Sequence, residues 1–363
     1  MGNCANAEGS GTTAIGDQSH AEGNGTTAVG DQSHAEGSGT TAIGFNSHAE
    51  GVNTTAIGFG SHAGGVNTTA SGVNSHAEGN LTEASGSASH AEGSGTKATG
   101  SQSHAEGLNT TASGHRSHAE GLNTTASGHQ SHAEGEGTST AGFVGSHIMG
   151  RFGDATEAYS WFIGNGTDNT NKGLGAKWIA STGNMSIDGS SYITSGADYA
   201  EMFEMYKEHI DVGFFVTLKG RKATTQDEFI LGITSVTPSI LGNSADLIWH
   251  GKYLLDRWGR RKIEERIVPE DTDSEGNVIS PSRIEKSPVL NPKWNPNQLY
   301  QSRIERAEWV VVGLLGQIRV RDDGTCEVDG YCFPNQDGIA TKSKKGYRVL
   351  ERLDKDQILI FFR

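Results

Sequence analysis

The chain has 363 residues, of which 51 are glycine, and its formal net charge is −14. Only 34% of the residues are hydrophobic, below the ~45–50% typical of globular chains. The negative charge argues against nucleic acid as a partner, because phosphate binding needs a basic surface. No stretch is apolar enough to span a membrane, three cysteines are too few for a disulfide scaffold, and no signal peptide is seen at the N-terminus.

The first part of the chain, residues 1–142, is a 14-residue repeat. Ser-His-Ala occurs at 19–21 and returns every 14 residues as far as 131–133, and glycine occurs every seven residues from Gly9 to Gly142. Glycine at this density disfavours a helix, at ~1 kcal/mol each, and collagen would need glycine at every third position. The alternation around each Ala is typical of a short strand. The repeat therefore predicts coils of two strands and two turns, stacked about 4.8 Å apart.

The two faces of the predicted strands differ in side-chain size. Ser19, Ala21 and Gly23 have small counterparts in nearly every repeat, which predicts a tightly packed interior, whereas His20 and Glu22 are expected on the outward face. So thin a core can hardly offset the conformational entropy that one chain loses on folding. The pattern therefore favours several chains packed around one axis.

The repeat resembles the left-handed parallel β-roll in the heads of trimeric autotransporter adhesins. Their repeat has a similar length and a Ser-x-Ala-x-Gly core, and the resemblance covers residues 7–142. It implies a trimeric β-roll shaft and says little about what the shaft binds.

The remainder of the chain is predicted to be all-β as well. Residues 143–197 are expected to form a neck of short strands, and residues 198–363 one compact β-rich domain with Asp-Gly and Lys-Gly turns. Within that domain the Pro-rich, polar stretch 268–298 is predicted to be a long surface loop.

A second resemblance begins with Ser-Gly-Ala-Asp-Tyr-Ala-Glu-x-Phe-Glu at 195–204. The motif residues are Ser195, Gly196, Ala197, Asp198, Tyr199, Ala200, Glu201 and Glu204. Further matches follow in order at 231–233, 249–253, 312–316, 338–343 and 346–350. Together they resemble the peptidase G2 family, the autoproteolytic intramolecular chaperone domain of phage pre-neck appendage (tail-spike) proteins, over residues 195–363.

This resemblance implies that the chain cuts itself once, between Ala197 and Asp198, as a glutamic-type endopeptidase. The catalytic residues would be Glu201 and Asp198, and no cofactor or metal is expected. Glu201 would act as general base on a water, and a protonated carboxyl would give its proton to the leaving amine. Two neighbouring carboxylates tend to acquire different pKa values, which suits opposite roles. The spacing of three residues predicts that Asp198 and Glu201 lie on one side of a helical turn.

Two alternative roles stay open for this segment. Asp198, Glu201 and Glu204 would also suit a solvated acidic turn without a catalytic role. Ser195 is a second candidate nucleophile, although Lys207 is an imperfect match to the lysine of a Ser-Lys dyad.

Several further patterns suit a structural role better than a chemical one. The histidine column from His20 to His132 suits a ladder, or a contact between chains, better than a metal site, since no Cys or Asp accompanies it at ligand spacing. The Thr-Thr pairs of most coils, which an ice-binding solenoid would also show, suit ordinary strand and turn structure. Cys326 and Cys332 are expected to be reduced core thiols. Four tryptophans are expected in hydrophobic cores: Trp161, Trp178, Trp249 and Trp309.

The sequence thus predicts a homotrimeric phage or prophage tail appendage, or a related bacterial surface fibre. It would lie on the virion tail or the cell surface, where its partners would be a host receptor or other virion proteins. Its C-terminal domain would direct trimer assembly and then cut itself off. The alternative is an adhesin or structural surface fibre whose non-catalytic C-terminal domain stays attached.

Overall fold

The computed structural model describes residues 2–189, 191–207, 209–220, 222–224, 229–245, 251–272, 278–280 and 282–363. Across these ranges every regular element is a β-strand, apart from one 3-10 turn at Arg303–Glu305. The predicted all-β class is therefore confirmed. No helix in the described part of the chain is long and apolar enough to cross a membrane.

The described residues form two compact units. The first unit comprises 1–190 and 261–288, and the second comprises 191–260 and 289–363.

The first unit is dominated by a parallel β-solenoid of about 11 turns. Each of the first nine coils contributes one five-residue strand to one sheet and one two-residue strand to a second sheet, and the later coils contribute a strand to the first sheet alone. The solenoid strands, in chain order, are β1 (Asn6–Ser10), β2 (Thr13–Ala14), β3 (His20–Asn24), β4 (Thr27–Ala28), β5 (His34–Ser38), β6 (Thr41–Ala42), β7 (His48–Val52), β8 (Thr55–Ala56), β9 (His62–Val66), β10 (Thr69–Ala70), β11 (His76–Asn80), β12 (Glu83–Ala84), β13 (His90–Ser94), β14 (Lys97–Ala98), β15 (His104–Leu108), β16 (Thr111–Ala112), β17 (His118–Leu122), β18 (Thr125–Ala126), β19 (His132–Ala133), β20 (His147–Arg151) and β21 (Trp161–Asn165).

Small side chains fill the narrow interior between the two sheets. Ala21 and Ala28 are fully buried, as are their counterparts in the other coils, and the Ser19 hydroxyl donates a hydrogen bond to the Gly16 carbonyl at 2.7 Å. Both glycine columns are required by close contact between coils. A Cβ on Gly30 would lie 2.1 Å from the carbonyl oxygen of Gly44 in the next coil. The seven-residue glycine period is thus a steric requirement of the stacking.

The histidines form a continuous stack on the outward face of the longer strands. Ring centroids of neighbouring coils lie 4.6 to 4.9 Å apart from His20 to His147. The histidine column is therefore a stack of rings in the structure, whereas its proposed contact between chains stays a prediction. The possible ligand atoms of His104, Glu106 and His118 lie within 4.8 Å of one another, as do those of several equivalent triples along the column. The preference for a structural role of the column over a metal site stays a prediction.

The break in the repeat at 140–142 does not end the solenoid. His132 pairs in parallel with His147, so this coil has one extra residue, and His147 then pairs with Trp161 at the usual spacing. An antiparallel extension follows, in which Trp161 pairs with Trp178 and Trp178 with Met185.

The strands beyond the solenoid are β22 (Leu174–Ile179), β23 (Asn184–Ile187), β24 (Asp198–Glu204), β25 (Phe215–Lys219), β26 (Lys222–Thr224), β27 (Ile230–Thr234), β28 (Ile240–Gly242), β29 (Ile263–Val268), β30 (Asp271–Thr272), β31 (Val278–Ser280), β32 (Arg283–Pro288), β33 (Trp309–Arg321), β34 (Tyr331–Pro334), β35 (Ala340–Ser343), β36 (Tyr347–Asp354) and β37 (Gln357–Phe362).

The second unit is built on one sheet in the order β26-β25-β27-β33-β37-β36-β34-β35, and β24 pairs with both β33 and β28. The long strand β33 lies at its centre and contributes buried Val312, Ile318 and Val320. Cys326 and Cys332 are buried in the same core.

Two expectations about this part of the chain were wrong. The stretch predicted as a long surface loop contains a strand, because β29 pairs with β32 in an antiparallel hairpin. Trp161 and Trp178 are not core residues, since 62% and 40% of their surface is exposed. Trp309 is partly buried, and Trp249 lies outside the described residues. Aromatic composition alone does not indicate which sheet face a side chain occupies.

Candidate functional site

The predicted cleavage segment leads directly into strand β24 of the second unit. Asp198 is the first residue of this strand and pairs with Gly316 of β33. On its other side β24 pairs in parallel with β28, where Tyr199 meets Ile240. The bond between Ala197 and Asp198 thus lies at the entrance to a paired strand.

The carbonyl group of Ala197 is held by the backbone of β33. Its oxygen accepts a hydrogen bond from the backbone N–H of Gln317 at 3.2 Å. Gly316 makes this approach possible: its φ is +124°, and a Cβ there would lie 2.3 Å from the same oxygen. A backbone N–H in this position is suited to stabilising negative charge that develops on a carbonyl oxygen.

The carboxyl group of Asp198 lies in the interior of the sheet. The residue is 5% exposed, and its Oδ2 atom is buried without a hydrogen-bond partner among the described residues. Burial raises the pKa of Asp198, and a hydrogen bond from the Ser235 side chain partly opposes that shift. Gly313 leaves room for this carboxyl, because a Cβ there would lie 2.7 Å from Oδ2. The environment therefore favours a protonated carboxyl directly after the predicted scissile bond.

The backbone around Asp198 is fixed from the β28 side. The Asp198 carbonyl accepts hydrogen bonds from the backbone N–H of Ser239 at 2.8 Å and from its hydroxyl at 3.0 Å. A Cβ on Gly196 would lie 2.3 Å from the backbone nitrogen of Ser239. Gly196 therefore allows this segment to pack closely against the backbone of Ser239.

Glu201 is held on the other face of β24. The Tyr199 hydroxyl donates a hydrogen bond to Glu201 Oε1 at 2.6 Å, and this bond raises the pKa of Tyr199. Gly242 lies beneath the pair, since a Cβ there would be 3.0 Å from Glu201 Cγ and 3.1 Å from the Tyr199 hydroxyl.

The predicted helical turn at Asp198 and Glu201 was wrong. The segment is extended, and successive side chains of a strand point to opposite faces. Asp198, Ala200 and Met202 are buried, whereas Tyr199 is exposed and Glu201 partly exposed. The structure therefore places the two carboxyl groups on opposite faces of one strand and does not bring them together.

The competing residues of the segment are solvent-facing. Ser195 is exposed and precedes the strand, and Lys207 lies with its amino group 5.3 Å from the ring centroid of Tyr206. Glu204 is the last residue of β24 and pairs with Trp309.

Sequence reasoning missed the residues that shape this site from distant strands, namely Ser235, Ser239, Gly242, Gly313, Gly316 and Gln317. Gly313 and Gly316 were part of a matching motif. Their closeness to the bond depends on strand pairing across more than a hundred residues, which no local pattern reveals.

The model of the Peptidase_G2, IMC autoproteolytic cleavage domain matches residues 153–355, more than half of the chain. The chain belongs to this family. The Peptidase_G2 match begins within the solenoid, earlier than residue 195. The YadA head domain repeat matches residues 7–33, 35–61, 63–80 and 119–141. The chain thus joins a solenoid shaft of YadA head type to an autoproteolytic cleavage domain.

Several relatives are phage appendage proteins. The chain is 33% identical over 198 residues to the pre-neck appendage protein of Bacillus phage B103, covering 51% of this chain and 22% of that protein. It is 34% identical over 170 residues to the preneck appendage protein of Bacillus phage PZA, which covers 45% of this chain and 18% of that protein. The putative phage-related protein YobO of Bacillus subtilis (strain 168) is 32% identical over 177 residues, which covers 47% of this chain and 20% of that protein. The match therefore spans about a fifth of each relative's length.

Among solved structures, that of the pre-mature bacteriophage phi29 gene product 12 matches with a TM-score of 0.48 and 19% identity. The match covers 97% of this chain and 39% of that one.

Proposed function

We propose that this chain is a homotrimeric phage tail appendage, or a related surface fibre, whose C-terminal domain directs assembly of the shaft and then cuts the chain between Ala197 and Asp198. The observation that carries the proposal is a buried carboxyl at Asp198 with a raised pKa, directly after a carbonyl held by the Gln317 N–H, in a chain of the Peptidase_G2 family. The appendage role and virion location are carried over from the relatives.

The proposed reaction is a single hydrolysis that needs no cofactor. A water attacks the carbonyl carbon of Ala197, and the Gln317 N–H stabilises the charge on the oxygen. Glu201 removes a proton from the water, and the Asp198 carboxyl supplies a proton to the departing nitrogen. The carbon–nitrogen bond breaks, leaving a carboxylic acid on Ala197 and an amine on Asp198. The new acid then loses its proton to the Asp198 carboxylate, which restores the protonated carboxyl.

Glu201 is too far along its own strand to reach this bond. An extended chain rises by ~3.3 Å per residue, so four residues separate Ala197 from Glu201 by about 13 Å. A glutamate with one intervening water does not span that distance. We therefore propose that Glu201 acts on the bond of a neighbouring chain in the trimer, which would make cleavage depend on assembly.

The first test is the mass and N-terminal sequence of freshly expressed protein. We expect a new terminus at Asp198 in the wild type and none in Glu201→Ala, because that variant lacks the base. Glu204→Ala, on the same strand, is the matched control and should still be cut. A single uncut chain of 363 residues in all three proteins would refute self-cleavage and favour a fibre with a permanently attached C-terminal domain.

The second test separates cleavage between chains from cleavage within one chain. Tagged wild type and untagged Glu201→Ala are co-expressed, and the mass of the untagged chain is measured. We expect part of the untagged chain to be cut, because a neighbouring wild-type chain supplies Glu201. An untagged chain that stays intact beside fully cut wild type would show that Glu201 acts only on its own chain.

A further inference from the structure

The outward face of the longer-strand sheet changes character at the end of the solenoid. In the coils this face carries the stacked histidines and a parallel column of glutamates, here termed the His–Glu face. At its end His147 pairs with Trp161, and Met149 pairs with Ile163. The polar columns are therefore continued by large apolar side chains on the same side of the sheet.

The antiparallel extension widens this apolar surface. Trp178 pairs with Trp161 on one side and with Met185 on the other. In the next row Ala176 pairs with Ile163 on one side and with Ile187 on the other. These five side chains, termed the neck patch, are 40% to 62% exposed: Trp161, Ile163, Trp178, Met185 and Ile187. A contiguous apolar surface of this kind is typical of an interaction site.

The chemistry of the neck patch favours an apolar partner. A shallow cavity of about 320 Å³ lies among four of these side chains, and its lining is mostly apolar, with His147 and Lys177 as the titratable residues. A sugar or charged ligand would need several placed polar groups. Tryptophan and methionine are instead enriched where protein surfaces meet.

We propose that the partner is a second copy of this chain, and that the neck patches of the assembled chains pack on one another. This inference rests on the proposed trimer. The His–Glu face that leads into the patch is the same in nearly every coil, with Gly64 as the exception among the glutamates. The outward positions of the other sheet vary, for example from Ile15 to Ser71 and from Thr69 to Lys97. A parallel copy along the His–Glu face would meet the same pair of side chains at every level.

The neck patch would also solve the problem of register. The coils repeat every 14 residues, so a slip of one coil between chains leaves most of the His–Glu contacts unchanged. The patch occurs once in each chain. A one-coil slip would displace it by ~4.8 Å against its copies and expose apolar surface.

The patch precedes the proposed cut. It would therefore stay with the shaft after residues 198–363 are released, and it would hold the mature trimer together in register. This assigns the lasting trimer contact to the neck rather than to the chaperone domain.

The test compares two double variants of the full chain by sedimentation velocity after cleavage. Trp161→Asp with Met185→Asp charges the neck patch, whereas Ile43→Asp with Ile57→Asp charges two exposed apolar side chains outside it, which are 41% and 42% exposed. We expect a trimeric shaft for the wild type and for the Ile43/Ile57 variant, and at least a tenfold loss of trimer for the Trp161/Met185 variant. A trimeric Trp161/Met185 shaft, or dissociation confined to the Ile43/Ile57 variant, would overturn the inference. A monomeric wild type would instead refute the proposed trimer.

A second measurement covers the case in which the charged variant does not fold. Met185→Cys and Ile57→Cys are each made in a Cys4→Ser background, since Cys326 and Cys332 are buried. A short bismaleimide should link Met185→Cys chains to one another, and Ile57→Cys chains at least tenfold less. Equal linking, or linking only through Ile57→Cys, would contradict the neck contact.

Discussion

At the scale of single residues, the site depends on glycines that let backbones and a carboxyl approach closely. Gly316 has a φ of +124° and lies against the Ala197 carbonyl, and Gly313 leaves room for the Asp198 carboxyl. Neither glycine contributes a side-chain functional group to the site. Their contribution is to place the Gln317 N–H and a buried acid on either side of one peptide bond, which is the kind of preorganisation that charge stabilisation requires.

Gly316→Ala is therefore expected to slow cleavage by about tenfold or more, equivalent to a barrier higher by ~1.4 kcal/mol. The new Cβ would lie 2.3 Å from the Ala197 oxygen and force the bond away from the Gln317 N–H. The control is Gly324→Ala, whose φ is +89° but whose Cβ would meet nothing closer than 4.0 Å. Both variants place a side chain at positive φ, at a cost of ~1–3 kcal/mol each, whereas only Gly316→Ala adds the clash with the Ala197 oxygen. Equal cleavage rates in a time course followed by mass spectrometry would show that this contact is not used.

At the scale of elements, the sequence predicted the solenoid and missed the strand that begins at the proposed cleavage site. The solenoid is encoded locally, because each Ala and Gly meets its own counterpart 14 residues away. Strand β24 is encoded at long range, because its partner β33 begins at Trp309. The acidic spacing of Asp198 and Glu201 therefore suggested a helical turn, and only sheet pairing shows that they face opposite ways. The family of the motif could be predicted from its residues, whereas the contacts around the Ala197–Asp198 bond could not.

The histidine ladder should make the stability of the shaft depend on pH. Burial, followed by the charges of neighbouring histidines, lowers the pKa of His48, His76, His104 and His132, and adjacent glutamates partly oppose the shift. An unfolded histidine has a pKa of ~6.5 and thus binds protons more readily than the folded ladder. The stability contributed by these histidines is full above ~pH 6.5 and is lost as the pH falls towards the lower folded pKa values.

Thermal unfolding followed by circular dichroism at about pH 7.5 and about pH 5.0, on either side of the ordinary histidine pKa, tests this expectation. The midpoint of the shaft transition should be lower at the acidic pH, and His76→Gln with His104→Gln should reduce the difference. A midpoint that rises on acidification would mean that the ion pairs with Glu78 and Glu92 outweigh both burial and repulsion between histidines.

At the scale of the whole molecule, the length of the shaft and the register between chains depend on different features of the sequence. Each coil supports its neighbours through the same backbone bonds, such as that from the His76 N–H to the Ser89 carbonyl. The number of coils is therefore set by the sequence alone, whereas alignment between chains needs a feature that occurs once. In the proposed trimer the neck and the C-terminal domain would supply such features, which would explain why both accompany a uniform shaft in one chain.

Deleting one whole coil should consequently be tolerated. Removal of residues 76–89 joins Ser75 to His90, keeps every column in place and should leave both cleavage and the unfolding midpoint unchanged. Removal of residues 76–82 joins Ser75 to Glu83, so the five-residue strand β9 would have to stack on the two-residue strand β12. The glycine columns would still coincide, but their backbones differ, since Gly65 has a φ of +105° and Gly86 is not in the left-handed region. We expect this shorter deletion to lower the unfolding midpoint strongly, and equal stability of the two variants would show that the two halves of the coil are interchangeable.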